Sequence, residues 1–270
     1  MARLNFLWAI IGTNRTGKTT EALKLAKAWK KDRPYGKVIV FDPQYKFRQA
    51  KVADYYITGE EDDWAKILIQ EKGKDKNGKP LFKFQNSLLI LDDYKAILDS
   101  NTLPKSFLKL LGLRMEISMD IIYITWNPRL ILERLSYFTN HFSIFYTESD
   151  SSDFSDKVAN YTLCQRAANV INKYVFAFGR GRYKDDKGNV VAEFPHAYVQ
   201  TENNEVELLN VDPNKWALLE ANGMDEVKTK LEFRQRLPEE YTKAFPSEAP
   251  QVIKIAKPLS SVTTTNATKK

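Results

Sequence analysis

The sequence predicts an α/β fold, a mainly parallel sheet flanked by helices. Short apolar runs recur through the first two-thirds of the chain, and helical patterns separate them. The runs are almost continuously apolar. Such strands are buried on both faces, which requires helices above and below the sheet.

The elements follow in order. Leu4–Ile11 is an apolar run stopped by Gly12. It leads into a glycine loop rather than a small-residue cleavage site, and so reads as a buried strand. Glu21–Lys31 has helical spacing, with Leu23, Leu25, Ala26 and Trp29 near one face. Lys37–Phe41 is a second strand, stopped by Asp42-Pro43. Asp54–Thr58 is a short third strand, Asp62–Gln70 a helix and Lys72–Lys79 a charged turn. Ser87–Leu91 is a strand closed by two aspartates. Pro104–Leu111 begins a helix that continues towards Ile117. Asp120–Thr125 is a strand ended by Asn127-Pro128, Leu130–Tyr137 a helix and His141–Tyr146 a strand. Beyond Asp150 the pattern changes. Phe154–Ile171 is helical, and Tyr174–Phe178 and Val190–Gln200 read as strands of a hairpin that turns at Lys184–Asn189. Asp212-Pro213 opens a further helix. After Phe245 the chain is rich in Ser, Thr, Pro and Lys, with little to bury. This divides the chain into a main domain over 1–205, a helical extension over 206–245 and a flexible basic tail over 246–270.

Composition narrows the function classes. At 270 residues and 43% hydrophobic, the chain can bury a sizeable core. No run of about 18 apolar residues is present, so no membrane span is expected. Cys164 has no second cysteine to pair with, which fits a reducing, cytoplasmic setting. Two histidines, His141 and His196, are too few for a zinc centre. The net charge of +7 mildly favours a polyanionic partner.

Residues 12–19 read Gly-Thr-Asn-Arg-Thr-Gly-Lys-Thr, which fits G-x-x-x-x-G-K-[ST] at every fixed position. The segment follows a predicted strand and opens a predicted helix. Gly12 and Gly17 permit the tight backbone that turns N–H groups inward as an anion nest. Lys18 supplies a point charge for the β- and γ-phosphates of a nucleoside triphosphate, and the helix start adds its positive end. The Thr19 hydroxyl is a ligand for Mg²⁺. The expected ATP-binding set is Gly12, Thr13, Asn14, Arg15, Thr16, Gly17, Lys18, Thr19 and Thr20. The second strand-end site is Asp92-Asp93. Asp92 is expected to hold Mg²⁺, through water, and Asp93 to orient or deprotonate the attacking water. At the end of the Asp120–Thr125 strand, Asn127, with Thr125 second, is placed to sense the γ-phosphate. Asn-Pro is also a common turn pair.

Phosphate loop, Asp92-Asp93, Gly112-Leu-Arg114, and an apolar strand ending at Trp126-Asn127-Pro128 follow one another, and then come Asn140-His-Phe-Ser-Ile-Phe and Ser149–Ser152. This order, over residues 4–180, resembles the FtsK–HerA superfamily of ring-forming DNA-pumping ATPases. Trp126-Asn127 stands where that superfamily carries glutamine. The resemblance implies a P-loop NTPase of the RecA-like (ASCE) kind with a C-terminal hairpin, ATP hydrolysis coupled to DNA movement, and a homo-oligomeric ring, a hexamer. It also implies an arginine supplied by the neighbouring subunit, with Arg114 the best match by position and Arg129 and Arg134 next. Arg180 and Arg182 can meet DNA phosphates instead. Two branches use short chains: viral genome-packaging ATPases and Zot-like filamentous-phage assembly ATPases, the latter with a similar Arg114…Asp120-Ile-Ile…Thr125 pattern. Zot-like chains carry a membrane span, so packaging is preferred. The protein would then lie in host cytoplasm or virion, with a capsid or assembly protein as a further partner. A small-molecule kinase shares the phosphate loop but needs no second carboxylate for water, so Asp92-Asp93 favours hydrolysis.

Overall fold

A computed structural model describes residues 5–43, 47, 51–57, 64–93, 103–147, 154, 156, 158, 161–179, 182–184, 190–192, 194–201, 205–212, 215 and 253–254. The elements in chain order are β1 (Leu7–Ile11), α1 (Lys18–Asp32), β2 (Lys37–Phe41), β3 (Tyr55–Ile57), α2 (Trp64–Leu68), β4 (Glu71–Lys74), β5 (Pro80–Phe82) and β6 (Ser87–Leu91). They continue with α3 (Lys105–Leu113), β7 (Met119–Thr125), α4 (Glu133–Ser136), β8 (His141–Phe145) and α5 (Tyr161–Phe178). The last are β9 (Arg182–Lys184), β10 (Val190–Ala192), β11 (His196–Gln200), β12 (Glu205–Leu209) and the two-residue β13 (Ile253–Lys254).

The main sheet has the order β12-β11-β8-β1-β7-β6-β2-β3-β13. Pairing is parallel from β8 through β13, while β11 and β12 add an antiparallel edge. Every residue of β1, β6 and β7 is buried. Alternation along these strands splits the core into two layers. Leu7, Ala9, Ile11, Leu89, Leu91, Ile121 and Tyr123 pack with α2, α3 and α5. Trp8, Ile10, Val38, Val40, Leu88, Ile90, Ile122 and Ile124 pack with Ala22, Ala26 and Trp29 of α1. Those three α1 residues are spaced four and three apart, one face of a helix.

Asp120 fastens the layers together. It is fully buried in β7. Oδ1 accepts the Phe6 N–H at 2.9 Å, and Oδ2 accepts the Trp29 indole N–H at 2.6 Å and meets Arg33 at 3.2 Å. The aspartate of the Asp-Ile-Ile pattern therefore ties the entry to β1 and the end of α1 to the middle of the sheet.

Several segments differ from the sequence expectation. Tyr174–Phe178 is the last turn of α5, not a strand. Cys164, Ala167, Ala168, Ile171, Tyr174 and Val175 form one continuous buried stripe, and this helical period overrides the β preference of Tyr, Val and Phe. Val190–Gln200 is two strands. β10 pairs with β9 in a separate hairpin, and β11 joins the main sheet beside β8. Pro195, between them, has no N–H to give a ladder. Leu130–Tyr137 reduces to a 3₁₀ turn at Pro128–Leu130 followed by the four-residue α4. The charged turn at 72–79 is an exposed hairpin, β4–β5, in which Asp75 Oδ1 accepts the N–H groups of Asn77 and Lys79 at 2.8 Å. β12, unforeseen, carries the main sheet to residue 209. Arg180, the Ser149–Ser152 segment, the turn at 185–189 and, apart from Lys215 and β13, everything after Asp212 lie outside the described residues. Among the described residues no helix is long and apolar enough to cross a membrane.

Candidate active site

β1 delivers the chain into the loop and α1 takes it away, at the ends of the parallel strands where ligands of open α/β sheets bind. The loop is tethered on both sides. Gly12 N–H bonds the Thr125 carbonyl of β7 at 3.2 Å, and Thr13 N–H bonds the Tyr146 carbonyl after β8 at 2.9 Å. Thr147, next along, is clasped by Asn172 of α5, whose Oδ1 accepts the Thr147 N–H at 3.0 Å. Within the loop the Thr16 hydroxyl donates to the Thr13 carbonyl at 2.7 Å. The Lys18 ammonium donates to the carbonyls of Gly12 and Thr13, both at 2.6 Å, and so arches back over the loop.

The two fixed glycines have separate reasons. A Cβ on Gly12 would stand 2.6 Å from the Phe145 Cβ and 2.9 Å from the Thr16 hydroxyl. Gly17 has φ +96°, which side chains rarely adopt, and a Cβ there would strike the Phe194 ring at 2.4 Å. Arg15 and Asp93 are left-handed non-glycine residues, at φ 61° and 51°. Both line the same cavity, and strained backbone of this sort concentrates at functional sites.

That cavity, about 890 Å³, is lined by the loop from Asn14 to Thr20, by Asp92 and Asp93, by Ile124, Thr125 and Trp126 of the β7 end, and by Phe194. Thus Lys18, Thr19, Asp92 and Asp93 are brought together, and Gly12 and Thr13 form the base of the loop. β7 lies between β1 and β6. The loop and the carboxylates are therefore two strand spacings apart, roughly 10 Å, with Thr125 between them. Thr125 is 3% exposed at the cavity wall. Asn127 instead caps the 3₁₀ turn, its Oδ1 accepting the Arg129 N–H at 2.8 Å.

Arg114 stands elsewhere. It follows α3 at the opposite end of β7, where its carbonyl accepts the Met119 N–H at 2.8 Å and the Asn5 side chain at 2.9 Å. Its guanidinium lies 5.5 Å from the Phe138 ring centroid. Burial lowers its pKa, with Asp120 opposing. Arg129 and Arg134 are exposed. The sequence reading missed Phe194 and Asn172. Neither sits in a local motif, and only the pairing of β11 with β8 and the packing of α5 bring them to the loop.

The donor set suits a magnesium nucleotide. The Thr19 hydroxyl and Asp92 carboxylate offer hard oxygens on one cavity, of the kind Mg²⁺ takes, and a Cβ at either fixed glycine would collide with the side chains packed against the loop. Among the described residues no group of three His, Cys, Asp or Glu forms a protein-only metal cage.

No protein-family model matches the chain, and no curated protein matches it by sequence. Solved structures do. The chain is similar to the genome packaging NTPase B204 from Sulfolobus turreted icosahedral virus 2 in complex with AMPPCP, at 10% identity and a TM-score of 0.46, over 76% of this chain and 96% of that one. It is similar to B204, the DNA-packaging ATPase from Sulfolobus turreted icosahedral virus, at 12% identity and a TM-score of 0.43, over 76% and 98%. It is also similar to the N-terminal domain of zonular occludens toxin from Neisseria meningitidis, at 15% identity and a TM-score of 0.38, over 54% and 79%.

Proposed function

We propose that the chain is an ATP-hydrolysing DNA translocase that works as a homo-oligomeric ring, a hexamer, in the manner of a viral genome-packaging motor. The observation that carries this reading is the convergence of Lys18, Thr19, Asp92 and Asp93 on one cavity, with Thr125 between the loop and the acids. Loop N–H groups and the Lys18 ammonium bind the β- and γ-phosphates. Thr19 and Asp92 hold Mg²⁺, which when bound offsets phosphate charge. The Asp93 carboxylate takes a proton from the water that attacks the γ-phosphorus, and the electron pair of the broken P–O bond leaves with ADP. Two carboxylates on the acid side of the cavity favour water over a metabolite as acceptor.

Two features support a DNA partner. The net charge is +7, and the β4–β5 hairpin exposes Lys72, Lys74, Lys76 and Lys79 at the opposite end of the sheet from the cavity. Lys37 and Lys83 stand nearby, and burial and then Lys72 and Lys83 hold the Lys37 ammonium below its usual pKa. In a ring, Arg129 and Arg134 stand exposed and can face a neighbour's γ-phosphate, whereas Arg114 is packed against Phe138.

ATP hydrolysis measured with and without single- and double-stranded DNA tests this. Lys18→Ala and Asp93→Asn should each lower DNA-stimulated turnover by about 10²-fold or more. Full turnover in both variants would sink the mechanism.

A further inference from the structure

The cavity has an aromatic wall that phosphate chemistry leaves unused. Phe194 stands just ahead of β11, on the edge of the sheet away from the acids. β11 lies two strands from β1 on one side, and β6, which ends at Asp92, lies two strands away on the other. The phosphate loop thus sits between a carboxylate pair and a phenyl ring. A triphosphate gripped by Lys18, with its γ-end at Asp92 and Asp93, points its α-phosphate and base away from them, towards Phe194.

The ring is held in place from behind. The Phe194 carbonyl accepts a hydrogen bond from His196 Nδ1 at 3.0 Å and another from Asn210 Nδ2 at 3.3 Å. His196 is 2% exposed and stacks on Phe145 with centroids 4.3 Å apart. Its Nε2 faces Glu21 Oε1 at 3.7 Å, in the first turn of α1. The backbone of Phe194 is therefore tied to a buried histidine that packs between Phe145 of β8 and the first turn of α1. Its ring packs against Gly17 on one side and is half-buried on the cavity wall.

We propose that Phe194 is the stacking platform for the nucleobase, with His196 and Asn210 as its positioning residues. The proposal rests on the reading of the cavity as a nucleotide site. Stacking on a phenyl face does not distinguish one purine from another, so the platform serves ATP and GTP alike.

Equilibrium binding of MgATP, MgGTP and magnesium tripolyphosphate to the full chain and to Phe194→Leu, Phe194→Ala and Phe194→Trp tests it. Tripolyphosphate has the phosphates without the base, and leucine keeps apolar bulk against Gly17 without a π-face. Leu and Ala should weaken both nucleotides by roughly 5- to 150-fold, the factor carried by one base–aromatic stack. Tripolyphosphate binding should stay within about twofold, and Trp should retain nucleotide affinity. Equal losses for tripolyphosphate and ATP would show that Phe194 only shapes the loop, and unchanged ATP affinity in Phe194→Leu would show that the base lies elsewhere. Either result overturns the platform and leaves the phosphate site standing. A wild-type chain that binds neither ATP nor tripolyphosphate would overturn the nucleotide site, and the platform with it.

Discussion

Asp120 and Asp92 are both buried strand aspartates, and their surroundings give them different work. Asp92 faces the cavity at the end of β6, while Asp120 is spent on Phe6, Trp29 and Arg33. Removing one member of a buried charged pair leaves the others unsatisfied, which costs about 3–5 kcal/mol. Asp120→Ala should therefore lower unfolding stability by about that amount in urea titrations. An exposed-type loss below about 0.5 kcal/mol would contradict the network around Asp120. At this scale the sequence was most legible where chemistry is local. Gly12, Gly17, Lys18 and Thr19 lie in eight consecutive residues, and the strand and helix around them could be read from apolar pattern alone. Asn127 was ambiguous for the same reason. Asn-Pro serves equally as sensor or as turn, and only the 2.8 Å bond to the Arg129 N–H shows its side chain used as a cap.

Among the elements, the β4–β5 hairpin has the clearest consequence. Its lysines stand exposed on β4 and on the turn that follows, at the end of the sheet remote from the cavity, so a DNA role there is separable from nucleotide binding. Replacing Lys72, Lys74, Lys76 and Lys79 with Gln should flatten the salt dependence of duplex binding. The slope of log K against log salt should fall by roughly 0.9 for each phosphate that is no longer neutralised. MgATP affinity should not change. A variant with an unaltered slope would move the DNA-binding surface elsewhere on the chain. The hairpin and α5 were also where pattern reading erred. A run of Lys, Gly and Asp carries no apolar alternation, so exposed strands there leave no periodic signal. Tyr174–Phe178 carries residues that suit a strand, yet a stripe begun at Cys164 continues through it.

The whole molecule is organised by strand order, which no local pattern encodes. Inserting β7 between β1 and β6 opens the gap that a phosphate, a metal ion and a water need, and the antiparallel edge of β11 and β12 brings Phe194 round to the loop. The core has a pH limit of its own. Burial raises the Cys164 thiol pKa far above its ordinary range, and burial also raises Tyr174 further along α5. In the unfolded chain the thiol ionises near pH 8.5, whereas in the folded chain it stays protonated. Cys164 therefore contributes its full stability below about pH 8.5 and loses it as pH rises further, by about 1.4 kcal/mol per pH unit. Urea midpoints at pH 8 and 9.5 should fall more steeply for the wild type than for Cys164→Ala. Equal slopes would place the thiol in contact with solvent.

The tryptophans give the sheet an optical asymmetry. Trp8, Trp29 and Trp64 are sealed against the strands, at 8%, 4% and 9% exposure, while Trp126 is 48% exposed on the cavity wall. A ligand entering between Thr125 and the loop changes the solvent around the Trp126 indole and leaves those three dark to the event. Titration with MgATP should shift the emission of the unlabelled chain, and the shift should be smaller in Trp126→Phe while binding persists. Trp126 would then report, in light, each filling and emptying of the cavity.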